Sequence, residues 1–97
     1  MDSVVYFNEL YDLYGELLTE KQCQYFEDYY FNNLSFSEMA ENYNVSRNAI
    51  FKQIHIVTDK LEEYERILEL YKKKNKLLEI IDCIEDSDIK NQLKELI

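Results

Sequence analysis

The chain has 97 residues, 46% of them apolar, with nine Tyr and five Phe, which is enough to close one small hydrophobic core. One Gly and no Pro exclude glycine-rich phosphate loops and dinucleotide fingerprints and argue against tight-turned β meanders, so the expected class is all-α. A net charge of −9 excludes a generically basic nucleic-acid binder, and any such contact must be confined to a small surface.

Val4, Phe7, Leu10, Tyr11, Tyr14, Leu17 and Leu18 recur at three- and four-residue steps, the signature of one helix face. Asp2 or Ser3 can cap its start. Gly15 costs that helix about 1 kcal/mol relative to Ala and marks close packing or a bend. Thr19 with Gln22 forms a capping box opening a second helix over about 20–32, with Cys23, Phe26 and Tyr30 on one side and Asn32–Asn33 as its end. Ser35 with Glu38 forms another, opening a short helix through Tyr43 whose buried stripe is Phe36, Met39, Ala40 and Tyr43. Asn44 stands where the chain must turn sharply, in a left-handed conformation that Asn tolerates. Val45 is expected to plug the corner. Ser46 then caps a helix with Ala49, Ile50 and Ile54 inward.

A short helix, a turn containing Asn, an apolar plug and a Ser-capped second helix make a helix-turn-helix, with a generic helical hairpin as the plain alternative. Beyond it, Ile50, Ile54, Val57, Leu61, Tyr64, Leu68, Tyr71, Asn75 and Leu78 step by four and three without interruption. This heptad seam of about four repeats predicts one long helix that either pairs with its twin or folds back on the amino-terminal helices. A second stripe, Ile67, Leu70, Leu77, Ile81 and Ile84, lies around the helix from the first, and two apolar faces favour dimerisation. Glu85, Asp86 and Ser87 break the pattern and can cap a last short helix bearing Ile89, Leu93 and Leu96. The expected organisation is a single domain over 1–97, with the helix-turn-helix core at about 19–60 and the long helix and carboxy-terminal helices at about 47–97.

Charge is uneven. Residues 1–45 carry −8 with Lys21 as their one base, residues 46–60 carry +2, and residues 61–97 carry −3 despite the basic knot Lys72, Lys73, Lys74 and Lys76. Cys23 and Cys83 lie far apart, fitting no zinc motif; one disulfide is formally possible, and two buried thiols are the expected state. His55 is the only histidine, which excludes a multi-histidine metal site. Acid pairs such as Asp82 with Glu85 have no nucleophile or metal set beside them, so no enzyme, metal or cofactor is expected. No apolar run approaches the roughly 20 residues of a membrane span, and neither a basic leader nor a signal-length apolar stretch opens the chain, so the expected location is cytoplasmic.

Several segments together carry a resemblance. They are Leu18-Thr19-Glu20-Lys21-Gln22, Tyr29-Tyr30, the run from Leu34 to Glu41 and the run from Asn44 to Phe51. In these the chain resembles the YlxM family of small bacterial helix-turn-helix proteins, which are also similar to the promoter-reading fourth region of sigma factors. The likeness covers about residues 4–75, and Leu61-Glu62-Glu63-Tyr64-Glu65 fits the family's continuation into a long helix. It implies a sigma region-4-like bundle with a long carboxy-terminal helix, and an accessory or regulatory role in the signal recognition particle pathway. Where the family commonly has an acidic residue and, further on, a Lys-Arg pair, this chain has Lys52 and then His55-Ile56.

In a helix-turn-helix the first turns of the second helix face base edges while its amino terminus meets phosphate. The candidate nucleic-acid contacts are therefore Ser46, Arg47, Asn48, Phe51, Lys52 and His55. Arg47 can reach guanine or phosphate bidentately, Asn48 can read adenine, and Lys52 can meet phosphate. Phe51 can stack on an unpaired base or touch a thymine methyl, or else belongs to the core. The candidate dimer interface is Val57, Leu61, Tyr64, Leu68, Tyr71, Asn75 and Leu78. Two functions follow: an RNA- or DNA-binding accessory protein of the signal recognition particle pathway, or a module that binds one of the particle's proteins through its acidic half.

Overall fold

A computed structural model describes residues 3–97 and contains six α-helices, with no strand among the described residues. They are α1 (Ser3–Tyr14), α2 (Glu20–Tyr30), α3 (Phe36–Tyr43), α4 (Arg47–Leu68), α5 (Leu70–Asp82) and α6 (Ser87–Glu95), with a 3-10 turn, Gly15–Leu17, after α1. The suggested cap at Asp2 lies outside the described residues. Both predicted capping boxes are formed: Thr19 and Ser35 accept from the N–H of Gln22 and Glu38, whose side chains accept in return from the cap residues' own N–H. Asp86 caps α6, accepting from Asp88 and Ile89.

Two packed clusters hold the bundle. Leu10, Tyr14, Leu18, Phe26, Val57 and Leu61 join α1, α2 and α4. Tyr25, Met39, Ile50 and Ile54 join α2, α3 and α4, with Tyr29, Phe36 and Tyr43 half-buried around them. Tyr11 lies flat on Phe26 at 4.2 Å between ring centroids and reaches Glu27 with its hydroxyl. A Cβ on Gly15 would stand 3.1 Å from that Tyr11 ring, so the chain passes closely there while leaving α1 through the 3-10 turn.

The predicted continuous helix is broken. Glu69, at φ 54° and ψ 30°, is left-handed and divides the seam into α4 and α5. A non-glycine residue costs roughly 1–2 kcal/mol in that conformation. Side chains from the body meet the freed amides of α5, which offsets the cost: Glu65 accepts from the N–H of Tyr71 (2.9 Å) and Lys72 (3.2 Å). The Tyr14 hydroxyl donates to Glu65 at 2.6 Å and accepts from the Leu70 N–H at 3.0 Å.

Three further expectations need correction. Val57 and Leu61, assigned to a dimer seam, are fully buried inside the subunit and present nothing to a twin. Tyr64 and Tyr71 are half-buried against the same cluster, while Leu68, Asn75 and Leu78 retain exposed surface. Val45 is 42% exposed, so it flanks the corner rather than plugging it. Both cysteines are free, but only Cys23 is half-buried; Cys83 is exposed.

Candidate nucleic-acid interface

The corner between α3 and α4 follows from Asn44. At φ 54° and ψ 48° it ends α3, its N–H donating to the carbonyls of Ala40 and Glu41, and the Val45 N–H returns to Ala40 at 3.0 Å. This is the left-handed helix end that Asn permits without glycine. Ser46 then accepts from the Ala49 N–H at 3.0 Å, which commits its hydroxyl to capping α4. The start of α4 carries no acid in its first turn, so the helix dipole and the Arg47 guanidinium both favour an anion there.

Arg47, Asn48, Phe51, Lys52 and His55 all lie exposed on α4. Arg47, Asn48 and Phe51 share a cleft with Phe36 of α3. Phe51 and His55 share a second, larger cleft with Phe7, Tyr29, Phe36, Asp59 and Glu62. Phe51 is 46% exposed and wedged at near-right angles to two neighbours, Phe36 at 5.9 Å and His55 at 4.4 Å between ring centroids. Phe36 in turn stacks on Tyr29 at 4.9 Å. The rings therefore form a continuous strip from α2 across α3 to α4. Lys52 stands outside both clefts.

Phe36 and Tyr29 are absent from the sequence-level contact set, because at helical spacing an aromatic reads as core. The available signal was the excess of rings: 14 in 97 residues outnumber the fully buried aromatic positions, which are Tyr14 and Phe26. Electrostatics around the strip are divided. Asp59 and Glu62 close the far end of the second cleft. Lys21, the lone base of the amino-terminal half, lies over the Tyr43 ring at 4.6 Å. Burial, and the hydrogen bond its hydroxyl donates to the Asp28 carboxylate, push Tyr43 up to about 12, so that ring stays neutral beside it.

A family model, UPF0122, described as "Putative helix-turn-helix protein, YlxM / p13 like", matches residues 1–97. The chain belongs to this family. A UPF0122 protein of Ureaplasma urealyticum serovar 10 is 44% identical over 91 residues, covering 94% of this chain and 92% of the relative. One from Malacoplasma penetrans is 46% identical over 86 residues, covering 89% and 80%. One from Halalkalibacterium halodurans is 38% identical over 95 residues, covering 98% and 87%. For a UPF0122 member, the helix-turn-helix is thus the family's own motif, formed here by α3, the Asn44 corner and α4, and it suggests nucleic-acid binding. Among the described residues no helix is long and apolar enough to cross a membrane.

Proposed function

We propose that this protein is a nucleic-acid-binding accessory protein of the signal recognition particle pathway, using the exposed face of α4 from Arg47 to His55. The observation that carries the binding reading is the pairing of an acid-free, Ser46-capped helix start with Arg47 and Asn48 at the mouth of an aromatic cleft. The pathway is what the likeness to the YlxM family implies. In this reading Arg47 and the amides of the first turn hold phosphate, Asn48 meets a base edge, and Lys52 adds a screened charge contact. The test is fluorescence anisotropy with a labelled RNA or DNA over a salt series. Arg47→Ala combined with Lys52→Ala should weaken binding at least tenfold and lower the salt slope by about the two contacts removed; unchanged affinity and slope would sink the reading.

The acidic half supports a second reading. Residues 1–45 hold −8 and α3 exposes Glu38 and Glu41 without any base, a surface suited to a basic protein partner. Capture of a signal recognition particle protein that survives nuclease treatment and is lost at high salt would favour it. Homodimerisation belongs to either reading. Its surface would be the remainder of the seam, Leu68, Asn75 and Leu78, beside the exposed Ile67 and Leu70.

A further inference from the structure

A duplex is a poor match for this helix-turn-helix. In the usual docking the first helix of the motif crosses the phosphate backbone while the second enters the major groove. Here the first helix is α3, whose exposed charges are Glu38 and Glu41 and which has no basic residue. The single base of the preceding 45 residues, Lys21, is held over the Tyr25 and Tyr43 rings. A duplex carries one phosphate charge per roughly 1.7 Å of axis, and seating it would bring that density against α3. On α4 itself, exposed Phe51 stands between Arg47 and His55, where a groove reader needs a hydrogen-bonding side chain.

The same features suit an unpaired strand. Phe51 and Phe36 line both clefts, so Phe51 forms the wall between two adjoining recesses. The perpendicular rings of Phe36 and His55 brace it, while nearly half its surface stays open. A ring fixed in this way gives up little freedom when a base stacks on it. The first recess offers Arg47 and Asn48 to the phosphate and edge of that nucleotide. The second ends at the Asp59 and Glu62 carboxylates, which accept hydrogen bonds from exocyclic amino groups and repel phosphate. Only a strand that can turn its bases in and its backbone away satisfies both ends.

We infer that the ligand of this face is an unpaired stretch of nucleic acid, with one base stacked on Phe51 and its neighbour in the cleft leading to Asp59 and Glu62. The inference rests on the nucleic-acid reading above and deepens it. The test measures anisotropy of short labelled single strands of RNA and of DNA, and of the matching blunt duplexes, at low salt. Single strands should bind more tightly than duplexes. Phe51→Leu should weaken them roughly five- to 150-fold, as loss of one base stack does, and Phe51→Tyr should retain binding. Circular dichroism of each variant confirms the fold. Equal binding of RNA and DNA strands would show that stacking suffices, and an RNA preference would add a 2′-hydroxyl contact; both support the proposal. Tighter duplex binding, or Leu serving as well as Phe, would overturn it while leaving the general reading standing if the Arg47 and Lys52 pair still matters. Absence of any binding would remove both.

Discussion

Tyr14 shows how much one hydroxyl can hold. Its ring is 1% exposed at the centre of the main cluster, yet its oxygen donates to Glu65 and accepts from the backbone of Leu70. Burial first, and the Glu65 hydrogen bond second, push its pKa from the ordinary 10.0 up to about 12. A proton held more tightly in the folded state than in the unfolded chain contributes stability that is complete below the unfolded pKa and lost as pH rises through the folded one. Alkaline unfolding should therefore occur across the interval from about 10 to about 12, with tyrosinate absorbance and helical signal changing together. Tyr14→Phe leaves the Leu70 amide without its acceptor and removes one of the three donors to Glu65, whose bonds to the Tyr71 and Lys72 amides remain, which costs about 1–3 kcal/mol. Its thermal midpoint at neutral pH should fall and its alkaline midpoint should move; a variant matching the parent in both would refute the assignment.

At the scale of elements, the sequence is most legible where a side chain answers its own backbone. Thr19 with Gln22, Ser35 with Glu38 and Ser46 each placed a helix start, and the left-handed Asn44 placed the corner, because those signals are local. The break at Glu69 left no such trace. One left-handed residue hardly disturbs apolar spacing, and the bonds that stabilise it come from Glu65 and from Tyr14, which is distant in the chain. The candidate site was half legible for the same reason: Arg47, Asn48 and Phe51 follow from the cap, but Phe36 of α3 and Tyr29 of α2 join them only through tertiary packing. Two substitutions separate the contributions to the elbow. Glu69→Gly relieves the backbone cost and should raise stability by about 1 kcal/mol, whereas Glu65→Ala uncaps α5 and should lower it by a similar amount. Hydrogen exchange at the amides of Tyr71 and Lys72 should accelerate in the second variant alone.

The whole molecule is elongated. Its radius of gyration is 16.9 Å and its extents are 55 × 25 × 24 Å, against about 13 Å expected for a compact chain of this length. Beyond the elbow, α5 and α6 pack on each other and α5 touches the body at α1. Ile67, Leu68 and Leu70 lie exposed in near succession at the elbow, an apolar concentration that a monomer seldom leaves open. Light scattering at micromolar concentration should give twice the 11.8 kDa chain mass, and Leu68→Glu should return it to one copy; a parent protein of single mass would end the dimer proposal. The elbow's bonds carry one last consequence. Since Tyr14 and Glu65 anchor the first turn of α5 to two separate helices, the arm cannot swing without surrendering several hydrogen bonds together. It works as a strut, not a hinge: the turn that bears Lys72 and Lys73 is clamped to the trunk, and the rest of the arm is carried at a fixed inclination.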